Sequence, residues 1–505
     1  MDSFGLLSLL PFILALFLVL RYQDILIPLV GALVIGSILL ARFNPLLGLF
    51  QTAGEMLFGT LRDPTTVLIL LTAVEALILY TLLDRRGYVA HFVHWTCGRA
   101  LSLKKLESFI LGSAAAVFVD RVLAALLAGI FTRPLAERKN LSPHRHAFIL
   151  NTTSSPLAGL LPLTTLTPVT LAAVGVSFRS LGIQFSPLQA LLYSIPYQFY
   201  SIFSLFMVIS LVVLQKEPVA MTQREGEEPF TFGMPPQKKN KKKSGAPPLA
   251  RYAVPAALVV LFGAVAAGLA LTNRGAAAGL GEPRTIQVAF ANALFAAVVF
   301  VVLFALISRA CSYRQLTEEH SQAFRAPLTV LFYLVLSLAM AGMAGKLQVH
   351  RVLVQLWPRQ VYFVPAAVFI ASCLVGFLSG SAPLTVSVML PVALQAISAR
   401  LSDPLLVNQY IFAGIAAVQS GAVFGDMNSP FSPTFIFSTA GAGSSLLGHF
   451  RTQIFYSLGC FLVSTLFGYT LLALEVSPYL SISAGFLVIG GAVVLISKLT
   501  GETRA

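Results

Sequence analysis

Long apolar runs alternate with short polar joints from one end of the chain to the other. The runs fall roughly at residues 4–20, 25–41, 66–83, 108–132, 148–174, 188–214, 253–272, 286–308, 326–344, 361–378, 384–399, 408–424, 431–447, 452–474 and 479–498. A membrane span needs about 20 apolar residues, and several of these runs are too short or too interrupted for that. The pattern therefore predicts full helices mixed with half-helices and re-entrant hairpins. The first run begins Met1-Asp2-Ser3 with no basic segment, and no small-residue cleavage site precedes the next run. It reads as a retained helix rather than a signal peptide.

The runs fall into two halves with one plan. The first half reads Pro64-Thr65-Thr66-Val67-Leu68, then an interruption around Asp120, then Asn151-Thr152-Thr153-Ser154-Ser155-Pro156-Leu157. The second reads Pro327-Leu328-Thr329-Val330-Leu331, then Ser379-Gly380-Ser381-Ala382-Pro383, then Asp426-Met427-Asn428-Ser429-Pro430-Phe431. Polar and helix-breaking residues inside an apolar run free backbone amides and carbonyls, which cannot face lipid and must be buried or line a wet cavity. Breaks at matching places in two halves mark a binding site near the bilayer midplane. The expected fold is all-α, polytopic and transmembrane, with two inverted repeats containing broken helices and re-entrant hairpins. Residues 1–214 form the N-terminal membrane half, with its repeat at about 55–214. Residues 251–498 form the C-terminal half, with its repeat at about 326–474, and 499–505 are a tail.

Composition sharpens this picture. Hydrophobic residues make up 57% of the 505 and charged residues 11%, against about 25% charged in soluble domains. The mean hydropathy is +0.83, and the formal net charge is +14. The basic excess suits cytoplasmic loops. Residues 215–250, with seven basic and four acidic residues, read as a disordered cytoplasmic linker that anionic lipid headgroups would attract. No aromatic platform accompanies those lysines, so nucleic acid is not an expected partner. Basic residues flank the 108–132 run on both sides: Arg85, Arg86, Arg99, Lys104 and Lys105 before it, and Arg133, Arg138, Lys139 and Arg145 after it. A re-entrant hairpin with its tip near Asp120 would keep both clusters on one side. Cys97, Cys311, Cys373 and Cys460 show no ligand spacing, and His91, His94, His144 and His146 read as loop residues.

Three acidic residues sit well inside apolar runs: Glu75, Asp120 and Asp426. A carboxylate at the bilayer centre costs at least about 2.5–3.5 kcal/mol, so such residues serve ions, protons or a partner charge. Asp120 and Asp426 both stand at breaks, where carbonyls and hydroxyls add the hard oxygens that a small cation or a proton relay needs. Each could equally cap a half-helix. Glu75 lies within an unbroken run, as a hydrogen-bonded residue between helices or a proton carrier. Arg121 is a permanent charge in an Ala/Leu-rich stretch: an ion-pair partner for Asp120 or Asp426, or an anchor for a substrate carboxylate.

These residues resemble the NhaC-type sodium/proton antiporter family, within the ion transporters that carry two re-entrant hairpins. Ser420-Gly421-Ala422-Val423-Phe424-Gly425-Asp426-Met427-Asn428-Ser429-Pro430-Phe431-Ser432-Pro433-Thr434 is similar to its S-G-A-x-F-G-D-H-x-S-P-I-S-D-T signature. Gly380-Ser381-Ala382-Pro383-Leu384-Thr385, Leu390-Pro391-Val392-Ala393, Phe118-Val119-Asp120-Arg121, Arg133-Pro134-Leu135 and Asn151-Thr152-Thr153-Ser154-Ser155-Pro156 resemble its other elements. Val119, Asn151, Met427 and Pro433 replace polar or acidic family positions, and Arg121 adds a positive charge.

The resemblance implies a secondary transporter working by alternating access, exchanging a cation, sodium by family default, for protons. Proton- or sodium-coupled transport of a small organic anion or amino acid is the alternative. A membrane enzyme or lipid-handling protein is disfavoured, since no nucleotide-binding or hydrolytic motif appears. The expected site is Asp120, Asp426, Arg121, Ser155, Ser381, Asn428, Ser429, Thr152 and Glu75, with sodium, if bound, at Asp426 and Asp120. No cofactor is expected beyond the coupling ions, H+ and by family default Na+. The expected partners are a small ion or small-molecule substrate and the bilayer of the cell (inner) membrane, and a homodimer is compatible with this reading.

Overall fold

A computed structural model describes residues 4–22, 26–62, 64–85, 88, 102–118, 120–162, 164–215, 221, 250–272, 283–307, 325–349, 351, 360–399 and 404–500. Most of the basic linker, and His91 and His94, lie outside them. The described residues are helical nearly throughout and contain no strand.

The chain opens with α1 (Leu10–Tyr22), α2 (Leu26–Leu40), α3 (Pro45–Gln51) and α4 (Phe58–Arg62). The stem helix α5 (Pro64–Arg85) follows, unbroken through Glu75 as its sequence predicts. The run at 108–132 is two helices, α6 (Leu103–Ala116) and α7 (Arg121–Arg138), whose arms pack on each other. The run at 148–174 breaks later than expected: α8 (Pro143–Leu160) passes unbroken through residues 151–157, where the sequence placed the interruption, and the chain resumes as α9 (Thr167–Leu181). A bent pair, α10 (Pro187–Ser194) and α11 (Phe199–Leu214), closes the half.

The order then recurs. A helix pair, α12 (Ala250–Thr272) and α13 (Pro283–Ile307), precedes a second stem, α14 (Arg325–Lys346). A second hairpin follows, α15 (Val364–Ser379) and α16 (Ala382–Ser398), then a broken span, α17 (Pro404–Asn428) and α18 (Pro433–Ala442). The chain ends with α19 (Leu446–Val463), its continuation α20 (Thr470–Ala473) and α21 (Pro478–Thr500).

Local chemistry sets the breaks. Asp120 caps α7, accepting from the amides of Val122 and Leu123 at 2.9 Å each. Gly380 ends α15 at φ +64°, a conformation glycine adopts without a Cβ penalty. Ser381 then caps α16 through the Leu384 amide. Pro433 at the start of α18 cannot continue the helix of α17, and its missing N–H is no loss in a first turn.

Packing crosses between the halves. Helix α7 packs on α18 and α16 on α9, while α2 lies against α14 and α13 against α5. Helix α17 is the centre of the molecule, with 94% of an 18-residue stretch within Asn408–Asn428 buried by the rest of the protein. Close approach is built in: a Cβ on Gly425 would stand 2.2 Å from the backbone carbon of Gly376 on α15. Asn408–Asn428, Leu446–Ala473 and Pro478–Leu495 are long and apolar enough to cross a membrane, and two bent pairs raise the count to five among the described residues. Many of the remaining runs are half-length helices, because buried breaks divide them.

Candidate functional site

Both hairpin tips and both broken spans converge where α17 ends. On one side, a Cβ on Gly380 would come within 2.9 Å of the Phe431 carbonyl carbon, so the tip of the α15–α16 hairpin presses against the 429–432 break. On the other, Arg121 at the tip of the α6–α7 hairpin reaches Asp426. Its Nε lies 3.0 Å from Oδ2 as an ion pair, off the line of a hydrogen bond.

Asp426 is fully buried. Ser155, in the middle of α8, donates to Oδ2 at 2.7 Å. Ser432 donates to Oδ1 at 2.8 Å. Ser432 stands at the N-cap of α18 but makes no side-chain cap, because its hydroxyl is given to the carboxylate. Among the described residues no backbone amide donates to Asp426, so it caps no helix. Its charge is balanced by one guanidinium and two hydroxyls drawn from three elements. A carboxylate so placed can hold one positive species at a time: the guanidinium, a proton, or a metal cation.

The other expected residues divide. Asn428 donates to the Phe424 carbonyl at 2.8 Å and to Tyr200 Oη at 3.3 Å, and its Oδ1 is buried without a partner. Ser429 accepts from the Phe431 amide and stabilises the break. Asn151 donates across to the Met427 carbonyl at 2.8 Å, tying α8 to the end of α17. Thr152 faces another way, bonded to Gln453 of α19 at 3.1 Å, and Gln453 continues to Ser457. Pro156 removes the amide that would have met the Thr152 carbonyl within α8. The structure does not bring the other expected residues to the carboxylate. Asp120 is spent on its cap, Ser381 on its own, and no described bond joins Glu75, buried on α5, to this cluster.

Two readings of the sequence need correction. His144 and His146 are not loop residues: both are buried in the first turn of α8, His144 bonded to Ser444 at 2.6 Å and His146 to Thr132 at 2.7 Å. Prolines at the start of helices, here Pro143, are helix signals as much as loop signals. Glu107 also belongs among the buried acids. It forms a bidentate pair with Arg145, one arm at 2.8 Å, and accepts from Gln215 at 2.7 Å. Its polar neighbours, Lys104 and Lys105, hid it from a search for acids inside apolar runs. Ser432, Tyr200, Gln453, Gln198 and Gln419 were also missed. Amides and hydroxyls within the apolar runs carry the same signal as acids, at lower contrast.

The profile of the Na+/H+ antiporter family matches residues 149–474. That stretch takes in Ser155, both breaks of the second half and Asp426, and begins after Arg121. The chain is also similar to an uncharacterized protein of Haemophilus influenzae, at 22% identity over 468 residues, covering 89% of this chain and 88% of the relative.

Proposed function

Because the chain belongs to the Na+/H+ antiporter family, we propose that it is a membrane cation/proton antiporter in which Asp426 is the exchange site. The observation that carries this is a fully buried carboxylate held by two hydroxyls and one guanidinium where the first hairpin tip and the 429–432 break meet the middle of α8. Buried ionisable groups in a membrane protein serve ions or protons unless a partner cancels them, and here the partner is a side chain at a hairpin tip. Arg121 acts as a tethered competitor. With Arg121 on Asp426 the site is neutral and closed. When Arg121 withdraws, Asp426 takes either a proton or a cation, with the Ser155 and Ser432 oxygens completing its coordination. One carboxylate that cannot hold both gives exchange rather than co-transport.

Sodium is the expected cation by family default, and the cell (inner) membrane the expected location. The two similarly ordered halves would form inverted repeats that rock about this junction, giving alternating access. A homodimer is compatible with it. One observation favours a second reading: the Arg121 side chain keeps 10% exposure while Asp426 keeps none. A partly exposed guanidinium would suit the carboxylate of a small organic anion.

The test is a proteoliposome assay of pH-gradient dissipation. Sodium, lithium, potassium and a panel of organic acids are added in turn. Cation-driven proton efflux that Asp426→Asn abolishes, in a normally inserted protein, is the expected result. Dissipation by an organic acid alone would replace this reading with the second. Wild-type turnover in Asp426→Asn would remove the site from the mechanism.

A further inference from the structure

Glu75 sits at mid-length of α5, about 15 Å from either helix end at 1.5 Å per residue. It lies on the inward stripe of that helix with Thr72, Leu79 and Leu82, and keeps 8% exposure. Its Oε2 is buried without a hydrogen-bond partner, and no basic residue pairs with it among the described residues. The other two buried acids among them are both compensated, Asp426 by Arg121 and Glu107 by Arg145.

The helices packed on α5 offer no spare charge at that height. They are α4, α7, α13 and α14. Arg121 of α7 is committed to Asp426, Arg133 to Glu137, and Lys346 of α14 to Glu55. Arg62, Arg138, Arg284 and Arg325 stand in the first or last turn of their helices, as do Asp84 and Arg85 on α5 itself. Tyr80 of α5 and Tyr333 of α14 are the remaining titratable residues of this group. A carboxylate stripped of water without a counter-charge is far costlier than the neutral acid, so Glu75 carries its proton here.

Packing does not call for an acid at this place either. The offset that lays Pro64-Thr65-Thr66-Val67-Leu68 on Pro327-Leu328-Thr329-Val330-Leu331 also lays Asp120 on Pro383 of the matching break, and it sets Leu338 opposite Glu75. The second stem, α14, thus fills the position with a hydrocarbon. A buried polar atom that makes no bond lowers stability, and ionisable residues inside membrane helices serve protons or ions.

We propose that Glu75 is a second proton carrier, so that each cation crosses against two protons, one at Asp426 and one at Glu75. It rests on the antiport reading. Helix α7 bears Arg121 at its first residue and packs on α5, so the displacement that opens the Asp426 pair also shifts a helix on which α5 rests. The Glu75 carboxyl then gives its proton to water on one side of the membrane and regains one from the other. Each cycle moves one net positive charge.

The experiment uses the full-length protein in proteoliposomes, with the membrane potential held at zero and a tenfold gradient of sodium, lithium or potassium. Net proton movement in wild type should stop at a pH difference of about half a unit, because two protons balance one cation. In Glu75→Gln and Glu75→Leu it should stop at about one unit. Glu75→Leu copies the second stem, loses no partner and should insert like wild type. An imposed membrane potential should drive wild-type exchange and leave both variants unaffected. At neutral pH the infrared C=O band of a protonated carboxyl should be present in wild type and absent from Glu75→Gln. A wild-type balance point at one unit, an unchanged balance point in the inserted variants, or no such band each overturns the second carrier alone. Failure of Glu75→Leu to insert, or its insertion without transport, also overturns it, by making the acid structural or part of the single exchange site. Wild-type protein without any cation-coupled proton movement removes the antiport reading and the second carrier together.

Discussion

Removing Arg121 isolates the energetics of the proposed exchange site. In Arg121→Gln, Asp426 stays fully buried with the Ser155 and Ser432 hydroxyls but no counter-charge. Breaking a buried pair by removing one partner costs about 3–5 kcal/mol, mostly because the survivor is left uncompensated. Asp426→Asn is milder, since Arg121 retains 10% exposure and a partly wet guanidinium is less costly to leave unpaired. The double variant Arg121→Gln/Asp426→Asn has no buried charge left and should return to within about 1 kcal/mol of wild type. A double-mutant cycle, measured by equilibrium unfolding in detergent, should therefore give a coupling of about 3 kcal/mol. Arg121→Gln/Asp120→Asn is the control, and it should remain as unstable as Arg121→Gln, because Asp120 is committed to the α7 cap. Rescue by Asp120→Asn and not by Asp426→Asn would refute the pairing and the tethered-competitor mechanism that depends on it.

Three further outcomes follow from the same geometry. Asp120→Asn should keep cation-driven proton transport, since asparagine caps a helix about as well as aspartate, while Asp120→Ala should cost about 0.5–2 kcal/mol in unfolding experiments; loss of transport in a stable Asp120→Asn protein would return that carboxylate to the ion path. Gly425→Ala should fail to reach the membrane at wild-type levels, because its Cβ would sit 2.2 Å from the Gly376 backbone carbon and neither α15 nor α17 can yield easily, and normal surface expression would show that the crossing is looser than described. Glu107→Gln should lower unfolding stability by about 3–5 kcal/mol, because the buried Arg145 guanidinium keeps its bond to the Leu211 carbonyl but loses its counter-charge, and a change under about 1 kcal/mol would contradict the burial of that pair.

Much of the architecture is legible in the chain itself, because lipid forbids bare backbone and so marks each break with residues that can serve it. Asp120, Gly380-Ser381 and Ser429-Pro430 announced three breaks that the structure contains. The choice of partner was not legible. Asp120 adjoins Arg121 in sequence, yet a residue that caps its own helix has its carboxylate turned to the amides of Val122 and Leu123. The guanidinium is left to find a charge from the other half of the chain. Sequence adjacency is a poor guide to pairing wherever a cap competes for the same oxygen. Thr152 illustrates a second limit. It lies one helical turn from Ser155, but it bonds to Gln453 while Ser155 bonds to Asp426. A long run rich in hydroxyls does not say which of them face the charge.

The cross-packing explains why the charge balance spans the two halves. The returning arm of each hairpin lies on the second half-helix of the other half's broken span: α7 on α18, and α16 on α9. Glycine meets glycine where α7 crosses α18, with a Cβ on Gly129 only 3.0 Å from Gly441 Cα, so that contact is a backbone-to-backbone one with little freedom to slide. A movement of the first hairpin would therefore carry Arg121 and the Gly441 end of α18 together, while Asp426 at the end of α17 is anchored separately through Gly425 against α15. Between these two attachments the chain is non-helical only at residues 429–432. That four-residue segment is where relative motion of the hairpins can be absorbed, and it carries the Ser432 hydroxyl that completes the Asp426 site. In the proposed exchange, opening the pair and reshaping the coordination would be one displacement, the cation or proton entering as the guanidinium leaves.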